Sequence, residues 1–232
     1  MKTIGMIGGM SWESTVSYYQ VINELVKERL GGLHSARVVL YSVDFAEIEQ
    51  LQDAGKWDEA GELLAGAARS VEAAGADFLV LCTNTMHKVV GAIEATVTIP
   101  LLHIADATAS EVLRAGVSTV GLLGTRFTME QDFYRGRLEE QHGITVLVPD
   151  DRDREEVHRI IYDELCKGVI NDASRDQYRE IIGRLAERGA QGIILGCTEI
   201  SLLVSQEDSS VLLFDTTGIH ARSAVDFALQ EA

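Results

Sequence analysis

The sequence predicts an α/β protein built from two similar, doubly wound parallel-sheet domains. Two observations lead to this fold class. Short apolar, β-branched runs alternate with helical patterns along the chain, as they do where helices connect parallel strands. In addition, two segments of the first half recur in the same order in the second half, which indicates a duplicated unit with a pseudo-twofold relation.

The first half follows a strand–helix–strand pattern. Its predicted elements are strand 2–7, helix 12–30, strand 38–43, helix 57–74 and strand 78–82. Ser11 is a suitable N-cap for the long helix, and Gly31 ends it. Apolar residues recur along it at helical spacing and could face either the core or an interface: Val16, Tyr19, Ile22, Leu25 and Val26.

The second half repeats two strand-and-loop segments of the first. Ile4–Gly9 is echoed by Val120–Thr125, and Gly75–Thr85 is echoed by Gly189–Glu199, at nearly equal offsets along the chain. In both pairs an apolar strand is followed at once by small or polar residues. The second half therefore starts again with the same strand pattern.

The duplication sets the predicted domain limits. The first domain takes residues 1–98 plus 206–232, and the second takes residues 99–205. From Val211 onward we expect one strand and one helix that return to complete the first half. Because no Pro- or Ser-rich linker separates the halves, we expect them to pack closely, with the active site in the cleft between them.

The composition excludes several classes of function. A formal net charge of −16 would repel nucleic acid and anionic membranes, so neither is a predicted partner. No apolar stretch is long enough to span a bilayer. Three scattered cysteines favour a reducing, cytoplasmic compartment over a disulfide framework. The cysteines and histidines lack metal-ligand spacing, so no metal is predicted.

The strand ends of the two halves carry the candidate catalytic residues. Ligands of open parallel sheets bind beyond the carboxyl ends of the strands. The self-alignment places Thr83 opposite Cys197, which suggests two groups that face one ligand from opposite sides. A helix start at Thr198 or Glu199 would favour the thiolate of Cys197. Cys82 is the competitor of Thr83, but strand side chains alternate between faces, and the repeat favours Thr83.

Short polar side chains near these strand ends are the candidate substrate ligands. Together with backbone amides they could hold a carboxylate. They are Asn84, Thr85, Thr125, Thr198 and Glu199. His87 could support the same site or simply begin the next helix. A nucleotide site at Gly5–Gly9 is disfavoured because the spacing is not GxGxxG, and no cofactor is predicted.

At these motifs the chain resembles the aspartate/glutamate racemase family, which uses no pyridoxal phosphate. The resemblance runs nearly end to end, through Ile4–Ser14, Cys82–His87 and Gly196–Glu199, and is closest to enterobacterial broad-specificity amino-acid racemases. It implies a homodimer whose domains enclose an amino acid. One group removes the α-proton and another returns a proton on the opposite face.

The chain departs from this family at one catalytic position. The usual first motif is Cys-Asn-Thr, whereas here Thr83 precedes the asparagine and the cysteine lies one residue earlier. A Thr/Cys pair predicts unequal roles. Cys197 is a competent base, whereas Thr83 can donate or relay a proton but hardly abstract one. We therefore expect strong dependence on Cys197 and rates that differ between enantiomers.

A second departure concerns the substrate. Family members specific for aspartate or glutamate hold the distal carboxylate with cationic side chains. Residues 44–52 contain no cation here, and Cys166 stands where a family lysine is expected. We predict broad specificity, with aspartate and glutamate as further possible substrates. Met10 and Gln52 are the candidate contacts to the substrate side chain.

Two other classes of function stay open at this stage. One is another cofactor-free enzyme of the wider fold group, such as a hydantoin racemase, a maleate isomerase or a decarboxylase of malonate-like acids. The other is an amino-acid-binding protein that has lost catalysis through Thr83. Deuterium exchange at the α-carbon distinguishes the three classes, because only a racemase exchanges this hydrogen without any other bond change.

Overall fold

The computed structural model describes residues 1–230, which form two compact units. The first unit comprises Met1–His103 together with the chain from His220 onward, and the second comprises Ile104–Ile219. Each unit contains one four-stranded parallel sheet with helices packed against it. The predicted α/β class with two similar domains is confirmed.

The first unit is built on strands β1 (Ile4–Gly8), β2 (Val38–Ser42), β3 (Phe78–Leu81) and β4 (Leu101–Leu102). Its helices are α1 (Trp12–Leu30), α2 (Phe45–Asp53), α3 (Trp57–Ala73) and α4 (Val90–Glu94), with a 3₁₀ helix at Thr85–Val89. The strand order is β2-β1-β3-β4. Ser11 caps α1 as predicted, since its side chain accepts a hydrogen bond from the Ser14 backbone N–H.

The second unit is built on strands β5 (Thr119–Gly124), β6 (Thr145–Leu147), β7 (Gly192–Gly196) and β8 (Leu212–Asp215). Its helices are α5 (Ile104–Arg114), α6 (Arg126–Glu130), α7 (Asp132–His142), α8 (Asp151–Asp163), α9 (Asp172–Glu187) and α10 (Ile200–Leu203). Two 3₁₀ helices, Leu165–Lys167 and Gln206–Asp208, connect them. Helix α11 (Thr216–Leu229) follows β8, and the division between the units falls within it.

The two sheets repeat each other in strand order and in register. The order β6-β5-β7-β8 reproduces the order of the first sheet. Ile7 of β1 pairs with Leu81 of β3, and at the corresponding place Leu123 of β5 pairs with Leu195 of β7. The internal echo read from the sequence therefore corresponds to a real duplication of the sheet.

Strand β8 departs from the prediction for the end of the chain. It was expected to return to the first half, but it pairs with β7 in the second sheet. Its Phe214 is buried in the apolar cluster of that unit. Gly192 of β7 makes room for the ring, since a Cβ there would lie 2.6 Å from Phe214 Cε2. The chain thus completes the second sheet before α11 adds its apolar side chains to the core of the first unit.

Helix α1 buries only part of the apolar set that its helical spacing selects. Tyr18, Ile22 and Val26 lie in the core, whereas Val16 and Tyr19 are each 53% exposed. Tyr18 is favoured in the core because its hydroxyl finds a buried partner there, which a buried tyrosine requires. None of the helices within residues 1–230 is long and apolar enough to cross a membrane.

The two faces of the first sheet bury different side chains of β3. Leu79 and Leu81 pack in the cluster on the α3 side. Phe78, Val80 and Cys82 pack in the cluster formed with α1 and α11. This alternation follows the pleat of the strand. It directs the Cys82 side chain into a core.

Candidate active site

Thr83 lies directly beyond β3 in a tight turn. Its backbone N–H donates to Leu81 O at 2.9 Å, and its carbonyl accepts a hydrogen bond from His87 Nδ1 at 2.8 Å. The backbone N–H of His87 donates to the neighbouring carbonyl, Asn84 O, at 3.1 Å. His87 therefore holds two successive carbonyls of the predicted site. Thr83 itself is 7% exposed.

Cys82, the competitor of Thr83, is sealed in the core of the first unit. Its side chain has no exposed surface, and its Sγ lies 3.8 Å from Val80 O. Burial raises the pKa of the Cys82 thiol well above its ordinary value. A thiol in this position is therefore poorly suited to act as a base.

The other predicted residues of the first unit lie near the same sheet edge. Thr85 begins the 3₁₀ helix after β3 and is buried, as is Asn84 before it. Met10 follows β1 and packs in the cluster that contains Met86. Gln52 of α2 is also buried, and its Nε2 donates to Met86 Sδ at 3.0 Å. Their contacts to a substrate stay a prediction.

At the end of β7, a thiol, a hydroxyl and a carboxylate form one buried cluster. Cys197 Sγ donates to Glu199 Oε2 at 2.9 Å, and Thr198 Oγ1 donates to the same oxygen at 3.0 Å. Cys197 is 8% exposed, and Glu199 is almost fully buried. The sequence suggested Glu199 only as a substrate ligand. The structure gives it a direct contact with the candidate catalytic sulfur.

The expected lowering of the Cys197 pKa is wrong. Burial raises the pKa of the thiol well above its ordinary value, and the Glu199 carboxylate raises it further. Helix α10, which follows this strand end, spans only Ile200–Leu203, so it brings few peptide dipoles to the sulfur. The resting state is therefore the thiol.

Thr125 lies beside this cluster, at the end of the neighbouring strand. Gly124 of β5 pairs with Gly196 of β7, so the residues that follow them are neighbours at the sheet edge. Thr125 caps α6 by accepting a hydrogen bond from the Thr128 N–H at 3.3 Å. The strands approach so closely that a Cβ on Gly124 would lie 2.8 Å from Gly196 O. Thr125 and Cys197 are thus brought to one edge.

His158 was not recognised from the sequence as a neighbour of this edge. Its Nδ1 accepts a hydrogen bond from the Arg126 backbone N–H at 3.2 Å. Two backbone N–H groups at the start of α6 therefore have acceptors within the protein: that of Arg126 donates to His158, and that of Thr128 donates to Thr125. No local motif announces this contact, because His158 belongs to α8 and reaches α6 only through the tertiary fold.

No metal centre accompanies these groups in the described part of the chain. Among residues 1–230, no group of three or more His, Cys, Asp or Glu side chains is arranged to hold a metal ion. The thiol, hydroxyl and carboxylate groups at the two strand ends are of the kinds that take part in proton transfer.

A protein-family model described as Asp/Glu/hydantoin racemase matches residues 7–224, which is nearly the whole chain. A Yersinia pestis protein, described provisionally as an Asp/Glu racemase, has a crystal structure with a TM-score of 0.92 and 62% identity. The match covers 99% of this chain and 100% of that one.

Two further relatives extend the comparison. An aspartate racemase homologue from Pyrococcus horikoshii is 38% identical, with a TM-score of 0.85 over 99% of this chain and 100% of its own. The broad-specificity amino-acid racemase RacX of Bacillus subtilis is 22% identical over 231 residues, which covers 96% of each chain.

Proposed function

The chain belongs to the Asp/Glu/hydantoin racemase family, and we propose that it is a cofactor-independent amino-acid racemase of broad specificity. The observation that carries the proposal is the buried hydrogen bond between Cys197 and Glu199 at a strand end equivalent to that of Thr83. Inversion of a carbon needs a base on one face and an acid on the other. Cys197 and Thr83 are assigned these two positions.

Glu199 makes Cys197 usable as a base. The thiol does not ionise readily alone, since burial and the nearby carboxylate raise its pKa. Transfer of its proton over the 2.9 Å hydrogen bond to Glu199 creates the thiolate without changing the net charge of the cluster. The thiolate then removes the α-hydrogen of the enantiomer that faces it.

Thr83 has the complementary role on the other face. A hydroxyl is a weak base, but it can deliver its proton to a carbanion and regain one from solvent water before the next turnover. Because mirror images have equal free energy, kcat/KM must be equal for the two enantiomers. The difference in acid–base strength between Thr83 and Cys197 therefore does not change kcat/KM. It changes how fast each enantiomer exchanges its α-hydrogen with solvent.

The remaining polar groups are assigned to the substrate carboxylate. The α-hydrogen of an amino acid is very weakly acidic, so negative charge that develops on removal of the proton must be stabilised. Short hydrogen-bonding side chains at the two sheet edges can do this: Asn84, Thr85, Thr125 and Thr198. Their burial favours this role, because hydrogen bonds to a charged group strengthen away from water.

Broad specificity is supported by the absence of a cation where acidic substrates would need one. Helix α2 carries no lysine or arginine. Cys166 packs against the apolar cluster that contains Cys197. The adjacent Lys167 is largely exposed and lies 3.7 Å from Asp163, which already offers it a carboxylate. The relative RacX, described as broad-specificity, is consistent with this proposal.

The test is to measure inversion and α-deuterium incorporation together, in heavy water, over a panel of neutral and acidic amino acids. We expect several neutral amino acids to be racemised. One enantiomer of each should exchange its α-hydrogen faster than it inverts, because Cys197 removes the hydrogen readily while Thr83 reprotonates slowly. For the opposite enantiomer, exchange and inversion should proceed together.

Cys197→Ala, purified identically, controls for contaminating racemases and should show neither reaction. Turnover of aspartate and glutamate alone would overturn broad specificity. Binding of amino acids without any exchange would overturn the assignment as a racemase.

A further inference from the structure

Behind Thr83, the first unit contains a buried cluster of three histidines and a tyrosine. We call Tyr18, His87, His103 and His220 the histidine cluster. All four side chains are more than nine-tenths buried. They come from α1, the 3₁₀ helix after β3, the residue following β4, and α11. Four elements distant in sequence therefore converge on one polar spot in an apolar core.

The hydrogen bonds of His220 fix its orientation. Its Nε2 lies 2.9 Å from Leu102 O, and a carbonyl can only accept, so this nitrogen carries the hydrogen. Its Nδ1, 2.9 Å from the Tyr18 hydroxyl, then accepts from that group. Burial lowers the pKa of His220 to about 4, so the ring is neutral near pH 7. Tyr18 and His220 thus form an uncharged pair in which both ring nitrogens of His220 have hydrogen-bond partners.

The ring of His87 packs against the rings of His103 and His220. The ring centroids of His87 and His103 are 4.5 Å apart, and those of His87 and His220 are 6.1 Å apart. By the same reasoning as for His220, His87 Nδ1 carries the hydrogen that it donates to Thr83 O. The ring cannot swing away from that carbonyl without displacing another buried ring.

We propose that His87 is a positioning residue, which holds the Thr83 backbone through its carbonyl and so keeps the Thr83 hydroxyl in register with the α-carbon. The proposal rests on the proposed racemase function. The Nδ1–H of His87 is directed to a backbone carbonyl, so this proton is not the one delivered to the substrate. Its effect is confined to the step that Thr83 performs. A displacement of about 1 Å can cost about 100-fold in rate.

The decisive comparison is between His87→Asn and His87→Ala. The asparagine Nδ2 can occupy the place of the imidazole Nδ1 and donate to Thr83 O, whereas alanine cannot. We expect His87→Ala to lower the inversion kcat about 10- to 100-fold with little change in KM. The exchange of the Cys197-facing enantiomer should be retained. His87→Asn should recover most of the lost inversion rate, and thermal unfolding of both variants reports their folding.

Three results would overturn the proposal. Exchange and inversion could fall in parallel in His87→Ala, the asparagine could give no rescue, or the wrong ring nitrogen could be protonated in the wild type. The last is read by long-range ¹H–¹⁵N NMR of the histidine rings, with the His87 ring assigned in the wild-type protein by correlation to its own backbone resonances. Protonated Nδ1 is expected, and unprotonated Nδ1 contradicts the proposal even if both variants fail to fold.

This NMR result is independent of turnover. A wild-type protein that exchanges no amino acid would instead refute the racemase function, so the two failures are distinguishable.

Discussion

The ends of β3 and β7 occupy equivalent places in two sheets of the same order and register, yet they are held in different ways. Thr83 and Cys197 each lie two residues beyond equivalent leucines of the two sheets, Leu81 and Leu195. Thr83 is held through its backbone carbonyl by an imidazole. Cys197 is held through its side chain by the Glu199 carboxylate.

This difference shows what a duplication preserves. The backbone position of the reacting group is common to both halves, because sheet register fixes it. The polar partners can differ between the halves. His87 lies outside the repeated segment, and Glu199 occupies a single position within it. The Cys197 end has a proton acceptor attached to its thiol, whereas the Thr83 end has a rigid support for a hydroxyl. The roles proposed for Cys197 as a base and Thr83 as a proton donor follow from these partners.

The largest effect is expected from Thr83→Val, which removes the hydroxyl and keeps the shape. Inversion should fall about 10²- to 10³-fold, because the proton donor on one face is lost. Exchange of the Cys197-facing enantiomer should fall far less. Chiral chromatography and α-deuterium analysis of the same samples measure both quantities. Thr83→Ser is the matched control, and a parallel loss of exchange would mean that the two ends do not act separately.

Glu199→Gln tests the other end and should lower racemisation about 10- to 100-fold, because the thiol loses its proton acceptor. The pKa of Cys197 should fall as well, so the thiol becomes more reactive towards alkylation although racemisation slows. Removal of the negative charge lowers the raised pKa, so alkylation of Cys197 by iodoacetamide should begin at lower pH than in the wild type.

Thr198→Val, which removes a donor to the same carboxylate oxygen, should have a smaller effect. Activity that rises together with the alkylation rate in Glu199→Gln would exclude the acceptor role.

Thr83→Cys places a thiol at both strand ends. We expect inversion to rise about 10-fold, since a thiol replaces the weaker acid–base group. The excess of exchange over inversion should disappear in the same variant, which deuterium analysis would show. If Thr83→Cys changes nothing while Cys82→Ala abolishes turnover, then Cys82 and not Thr83 is the partner of Cys197.

The smallest effect concerns stability, where the halves also differ. Gly192 of β7 leaves room for Phe214, so Gly192→Ala should lower the free energy of unfolding by about 1–3 kcal/mol through overpacking. Gly183→Ala in α9 is the control, because its Cβ meets nothing within 4 Å. It should stabilise the helix by up to about 1 kcal/mol. Chemical denaturation measures both, and equal effects would contradict the packing argument.

The equivalence of Thr83 and Cys197 was predictable because strand register is written in local sequence. The contact between Cys197 and Glu199 was not, since a residue two positions away can point towards or away from the sulfur. The raised pKa of Cys197 depends on how deeply the fold buries it, which no local pattern records. The burial of Tyr18 rather than Tyr19 in α1 was not predictable either, because the partner of the Tyr18 hydroxyl is His220, on the last helix.

Helix α11 has a consequence for the order in which the chain folds during synthesis. The second sheet is complete once β8 has emerged from the ribosome. The core of the first unit is not, because Ala221, Ala224 and Val225 of α11 belong to the same apolar cluster as β1 and β3. The first unit therefore begins synthesis first but closes last. Until then, the face that supports Thr83 is open to chaperones and proteases.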